Sequence, residues 1–247
     1  MENIAENLQV IIKAKNDLKN SINAKNAGAI TDSTPFSAYP NSISAIETRT
    51  LDMSDRVVSD CIELKDYTNY YFIAARCVKE VNIPTTVTSF GESCFRDCSG
   101  LTSVTIPNSV TSFGESCFSG CKSLTGVTIP DSVASLPNHC FESCSSLTGI
   151  TIPDGVKSLG AFCFKDCSSL KDITIPDGVT SLEIACFFGC KSLTSMTCKA
   201  ITPPTLGSDI FSYTPSTLVI YVPAESVDAY KAATNWSKYA DKIQAIA

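Results

Sequence analysis

Ten cysteines recur at a fixed spacing through the middle of the chain, and they are the side chains most able to do chemistry. Cys94, Cys117, Cys140, Cys163 and Cys186 are each followed four residues later by Cys98, Cys121, Cys144, Cys167 and Cys190. Zinc would need four such ligands converging on one point. A nucleophilic thiol would need a base beside it. The sequence holds one histidine, His139, next to only one of the five pairs. Its side chain is expected to point to solvent. Neither a Cys/His metal set nor a Cys–His nucleophile therefore repeats with the thiols. Asp131, Asp154 and Asp177 recur one residue after a proline, where a carboxylate usually bonds local backbone in a turn; a shallow cation site along that edge is the alternative. No glycine-rich phosphate loop is present. The expectation is a chain that is not an enzyme, with no catalytic residues, no metal and no cofactor.

The elements that carry these cysteines are copies of one another. Segments beginning at Ile83, Ile106, Ile129, Ile152 and Ile175 align with a period of 23 residues and no gap. Pro follows each Ile, Val comes three residues after that Pro, Phe follows each first cysteine, and Leu101, Leu124, Leu147, Leu170 and Leu193 close the unit. A fixed period of this length marks a solenoid, whose units bury their apolar faces against one another. The cysteines share columns with Phe and Leu, so reduced cysteines packed as small apolar side chains are the reading that fits. Disulfides or metal binding are its alternatives. Thirteen cysteines read this way suit a reducing cytoplasm or an anaerobic habitat.

Leu101-x-x-Val104-x-Ile106 has leucine-rich-repeat spacing. Alternation predicts a strand with Val104 and Ile106 inward and Thr105 outward, ended by Pro107, which has no N–H to donate. Val110 and Phe113 are expected in the core from a short extended piece. Gly114 is expected to allow a turn, and Glu115 to Cys121 to form one or two helical turns with Cys117 and Cys121 on one face. The outward strand positions make a polar ladder: Ser103, Thr105, Thr128, Thr151, Asp172, Thr174, Ser195 and Thr197, with Gly126 and Gly149 beside them. Solenoids commonly bind partners on a concave, sheet-lined side, and threonine is equally a good residue for a solvated strand. The ladder holds no aromatic or arginine anchors.

Composition narrows the partner. Net charge is −6 over 247 residues with no run of Lys or Arg, so nucleic acid and anionic membrane are poor fits. No apolar stretch is long enough to span a bilayer. The first twenty residues lack a basic n-region, and Val10-Ile11-Ile12 is too short for a signal-peptide core. The sequence as it stands is not expected to enter the general secretory route.

Both ends depart from the register. Residues 60–82 align as a degenerate coil, with Tyr71-Phe72, Ala75, Val78 and Val81 in the repeat columns. Met196 and Cys198 take strand positions. Then Leu218 to Pro223 breaks the period, and Ala224 to Tyr239 reads as a helix with Val227, Tyr230 and Trp236 on its apolar side. Atypical ends are expected because a solenoid must cover its last coil, and Trp236 reads as cap core rather than ligand platform. The domains expected are a helical segment 1–50, a degenerate first repeat or cap 51–82, leucine-rich repeats 83–200 and a C-terminal cap 201–247.

LTSVTIPNSVTSFGESCFSGCKS and its four further copies resemble the BspA-like, Treponema pallidum-type leucine-rich repeats. LVIYVPAESVDAYKAATNWSKYADKIQAI resembles the segment that commonly closes such arrays, so the likeness covers about residues 60–247. The family's usual Ala before Phe is Cys here. The resemblance implies an α/β solenoid: a right-handed coil of 23-residue repeats with parallel strands on one face, a helical N-terminal segment and a C-terminal cap. It implies a surface protein of gut or oral bacteria, or of some protozoa, that binds matrix, other bacteria or host cells. It supplies no shared catalytic residues.

Ile4, Leu8, Ile11, Leu18 and Ile22 follow a heptad seam, an assembly coil that would make a homo-oligomer through residues 1–25. The string NLQVIIKAKNDLKNSINAKN, followed by PFSAYPNSISAI, is similar to a module at the front of phage tail-fibre-like proteins. The alternative is a helical hairpin capping the first coil. The first functional expectation is non-catalytic recognition or adhesion through a protein or glycan partner at a cell surface. The second is a phage or prophage appendage oligomerised through residues 1–50. With no signal peptide visible, a virion or cytoplasmic location stays open.

Overall fold

The computed structural model describes residues 51–52, 79–83 and 85–246. The chain divides into two units, Met1–Glu47 and Thr48–Ala247, and everything described belongs to the second. The heptad positions Ile4, Leu8, Ile11, Leu18 and Ile22, the helical N-terminal segment with its oligomer contact, and Tyr71, Phe72, Ala75 and Val78 lie outside the described residues.

One parallel ladder runs the length of the repeats. Its strands are β1 (Leu51–Asp52), β2 (Glu80–Asn82), β4 (Ser103–Thr105), β7 (Asp172–Ile175), β9 (Ser195–Cys198), β11 (Val219–Val222) and β12 (Ile243–Ala245). β1, β2 and β4 pair in that order, and so do β7, β9, β11 and β12. Single bridges link Thr105, Thr128, Thr151 and Thr174 in succession and join the two groups. At those two middle rungs the residue before the strand valine or isoleucine is Gly126 or Gly149, and glycine weakens a strand interior. Alternation holds as expected: β4 and β7 bury Val104, Ile173 and Ile175 and expose their neighbours. Partners lie 23 residues apart, as in Asp172 with Ser195, until β9 meets β11, where Ser195 pairs with Val219, 24 on. The register slips there because the repeat itself has ended.

A second, shorter ladder follows each proline. In the coils of Val110, Val133, Val156 and Val179 the chain turns on a hydrogen bond from the valine N–H to the carbonyl of the proline three residues earlier, as in Val110 to Pro107 at 3.0 Å. Strand β3 (Ser89–Phe90) then pairs with β5 (Ser112–Phe113). Likewise β6 (Ser158–Leu159) pairs with β8 (Ser181–Leu182), and β8 with β10 (Thr205–Leu206). Phe90, Phe113, Leu136, Leu159 and Leu182 are buried. The extended piece expected to bring Val110 and Phe113 inward is thus a sheet of its own. Asp131, Asp154 and Asp177 are exposed and make no side-chain hydrogen bond among the described residues. The neighbouring Ser109 and Ser132 bond the preceding coil instead, to Val87 and Val110 carbonyls at 2.6 Å.

The third side corrects the expected helical turns at Glu115–Cys121. Among the described residues the repeats contain no helix; this side is a run of tight turns. Two residues per coil have positive φ, Ser116 at 57° and Gly120 at 76° in this one, with Ser93, His139, Phe162 and Ala185 in the first of those columns. A left-handed residue every fourth position stops an α-helix from propagating. The N–H groups that would bond four residues back reach the next coil: Ser116 N to Asn138 O, Phe118 N to Cys140 O and Gly120 N to Glu142 O, at 2.8–3.0 Å. Gly114 serves close approach rather than a turn, since a Cβ there would run into the backbone of Glu92.

Phe and Cys fill the space between the three sides. Phe95, Phe118, Phe141, Phe164, Phe187 and Phe211 stack nearly parallel, 5.1–6.0 Å between successive ring centres. Each such contact adds about 0.5–1.5 kcal/mol to the burial itself. No disulfide joins the described cysteines, and all but Cys94 are buried. The second column is more than small apolar filling: Cys121, Cys144, Cys167 and Cys190 donate their thiols to the carbonyls of Phe95, Phe118, Phe141 and Phe164, at 3.1–3.2 Å.

The C-terminal end closes the stack. The single helix expected over Ala224–Tyr239 is three pieces: a 3-10 turn Ala224–Ser226, helix α1 (Val227–Ala232) and a 3-10 stretch Trp236–Lys242. Ala233 is extended and Asn235 has φ +64°, which breaks the helix and turns Trp236 inward. Trp236 is fully buried and donates Nε1–H to Pro204 O at 2.7 Å, so it is cap core as expected. Strand β12 then pairs with β11 and extends the main ladder by one more rung.

Candidate binding surfaces

Burial acts against the core thiols as nucleophiles. It pushes the Cys140, Cys163 and Cys167 thiols well above their ordinary range and Cys144 up to about 12. Cys121 is raised first by its hydrogen bond with Cys98 and then by burial. A nucleophile or metal ligand must be a thiolate, and these are held as thiols. His139 turns away from them: its Nδ1 is 2.8 Å from Glu142 Oε2 and its ring stacks on Phe162 at 4.9 Å. No cluster of three or more His, Cys, Asp or Glu able to hold a metal ion occurs among the described residues. No helix among them is long and apolar enough to cross a membrane.

The strand side carries an open groove of about 790 Å³. Its lining includes five of the eight ladder residues, Ser103, Thr128, Thr151, Asp172 and Thr174, together with Asp154 and Lys199. The other three stand apart from it: Thr105 is exposed outside the groove, and Ser195 and Thr197 are half-buried in β9. Gly126 and Gly149 make the hollow. A Cβ on Gly149 would touch nothing within 4 Å, and one on Gly126 would only reach Gly149 O at 4.0 Å. Backbone crowding therefore does not require either glycine, although glycine in a strand costs about 0.5–1 kcal/mol relative to alanine. Asp154, Asp172 and Lys199 are exposed and form no ion pair among the described residues. The threonines just outside the strands, Thr102, Thr125, Thr148 and Thr194, do bond the preceding coil's backbone. The groove threonines make no such bond and keep their hydroxyls for solvent or a ligand.

The turn side has a different surface, which the sequence reading did not pick out. In the outer columns there, the first two coils carry Glu92, Ser93, Arg96 and Asp97, then Glu115 and Ser116 with the buried Ser119 and Gly120. Later coils place His139, Phe162, Ile184, Phe188 and Tyr213 in those columns. Tyr213 is 73% exposed and packs edge-on against Phe188, ring centres 4.9 Å apart. Lys165 Nζ lies 5.8 Å from the Phe162 ring centre and 2.7 Å from Glu142. Burial works to raise the Glu142 carboxyl, but hydrogen bonds from Lys165 and His139 outweigh it and hold the group below its usual range. The available signal was a departure from the column consensus, readable only once those columns are known to face outward.

The family model for the BspA type leucine-rich repeat region matches residues 65–194 and 157–234, with six copies. No curated protein is significantly similar in sequence. Among solved structures, a leucine-rich repeat protein of T. pallidum is 24% identical, with 57% of this chain and 79% of that one covered and a TM-score of 0.50. The pneumococcal vaccine antigen PcpA is 17% identical over 68% of this chain and 40% of its own, with a TM-score of 0.51. A leucine-rich repeat protein of Bacteroides ovatus is 26% identical over 55% of this chain and 49% of its own, with a TM-score of 0.42. The treponemal and pneumococcal likenesses are likenesses of fold.

Proposed function

This chain belongs to the BspA type leucine-rich repeat family, and from that premise we propose that it is a non-catalytic recognition protein. It acts at a cell surface, on a right-handed coil, and binds a protein or glycan partner through the strand-side groove. One observation carries the reading. The groove floor is open at Gly126 and Gly149 without any steric need, and Asp154, Asp172 and Lys199, which form no ion pair among the described residues, line it. Surface hydroxyls and unpaired charges around a hollow suit a ligand held by many hydrogen bonds, each weak alone. The core thiols offer no competing catalytic use, because they are buried and protonated.

The test fills the hollow. Gly149→Arg and Thr151→Lys place long side chains in the groove from positions with room for them. Binding of the full chain would be measured on a mammalian glycan array and a panel of immobilised extracellular-matrix proteins. The wild type is expected to bind at least one probe, and each variant to bind it at least about tenfold more weakly, roughly 1.4 kcal/mol. Their urea unfolding midpoints should stay near wild type. A filled groove that binds as the wild type does would remove this site from the reading.

A further inference from the structure

The aromatic surface on the turn side lies outside the groove and plays no part in the reading above. Its residues are poor choices for the fold. Phe162 has φ +58°, in a column that is left-handed in every coil. Glycine or asparagine adopts that conformation at low cost, whereas a bulky side chain there is an outlier. Strain of this kind at a half-buried position on the outer side points toward function. Ile184 is 42% exposed and Tyr213 73%, so the surface also leaves apolar area in water.

Chemistry selects the occupant. The Phe162 ring face is already covered by His139 and Lys165, which leaves little for a sugar to stack on. The open ring is Tyr213. Two carboxylates on the same coils, Glu183 next in sequence to Ile184 and Asp209 four residues before Tyr213, are exposed and form no ion pair among the described residues. Lys165 is neutralised by Glu142 at 2.7 Å and Asp166 at 3.8 Å. An exposed aromatic ring attracts an ammonium or guanidinium, and the exposed carboxylates of these coils and the chain's net charge of −6 add to the pull.

We propose that this face docks a polypeptide segment of a partner protein that carries arginine or lysine among aliphatic residues. The aliphatic side chains cover Ile184 and Phe188, a cation lies on Tyr213, and Glu183 and Asp209 supply the counter-charge. Tyrosine with neighbouring apolar area is the composition in which binding energy concentrates at protein interfaces.

The experiment uses the full chain and two fluorescently labelled synthetic peptides, one alternating leucine with arginine and the other leucine with glutamate, read by anisotropy. The arginine peptide is expected to bind saturably and the glutamate peptide not to bind. Tyr213→Ser and Glu183→Lys should each weaken the arginine peptide at least about tenfold, while Gly149→Arg in the strand-side groove leaves it unchanged. Tyr213 and Glu183 are exposed, and circular dichroism checks that each variant is folded. Absence of saturable binding overturns the proposal. Equal binding by wild type and both variants overturns it too, because the attraction would then be diffuse charge. Tyr213-dependent capture of a glycan on an array would overturn it in favour of a sugar.

Discussion

The strand side and the turn side are built from the same 23-residue period, yet they treat repetition in opposite ways. On the strand side the outward threonines recur in every coil from Thr105 to Thr197, and only the column two residues before them varies, through Ser103, Gly126, Gly149, Asp172 and Ser195. On the turn side the inward Phe and Cys columns hardly vary, while the outward columns change from Ser, Glu and Gly to His, Phe, Ile and Tyr. The inward columns are constrained because each ring must meet its copy at 5.1–6.0 Å and each second-column thiol must meet a carbonyl. Outward columns answer only to solvent and partners. Departure from the period is therefore informative on an outward column, and regularity is informative on an inward one.

The largest effect should come from breaking an inward column. Phe141 is fully buried between Phe118 and Phe164 at 5.4 and 5.5 Å. Phe141→Ala should lower stability by about 3–5 kcal/mol in urea unfolding. It should also broaden the transition, since each repeat is held only by its neighbours and a central defect uncouples the two halves. An outward substitution one residue away, at Glu142, lacks that ring stack and should change stability far less. If both cost the same, the distinction between inward and outward columns fails.

A smaller effect separates the two cysteine columns. Cys140→Ser buries a hydroxyl beside the stacked rings and should cost about 1–3 kcal/mol. Cys144→Ser keeps a donor where the Phe118 carbonyl waits, 3.2 Å from the present thiol. It should cost less, by about 1 kcal/mol. Equal losses in the two urea midpoints would show that the thiol-to-carbonyl contact contributes nothing.

The columns were legible in the sequence because burial imposes one residue type at one spacing. Val104, Ile106, Phe118, Leu124 and the repeat cysteines other than Cys94 are buried as their period requires. The turn geometry was not legible. Ser116, His139, Phe162 and Ala185 carry no glycine signal for their left-handed backbone, and Cys117 with Cys121 mimics the spacing of a helix face. The break in the C-terminal helix hides in Asn235 for the same reason. Of the groove, Gly126, Gly149 and five ladder residues were visible. Asp154 was visible only as a turn residue recurring after a proline, not as part of the groove, and Lys199 was not visible, since it enters from just beyond its strand. Tyr213 belongs to a coil where the period has already slipped, so alignment alone gives it no column.

The smallest effect is the most discriminating. Phe162→Asn removes a half-buried ring from the stack with His139 and so gives up some packing. It also replaces a bulky residue at φ +58° by one that tolerates that backbone, which returns strain energy. The two terms oppose each other, and the urea midpoint should move by no more than about 1 kcal/mol in either direction. A loss near that of Phe141→Ala would mean that Phe162 is held for packing like an inward residue, and the turn side would then be one more structural wall. A midpoint at or above wild type would mean that the fold alone does not require this ring, so that the reason for it lies in whatever the face meets.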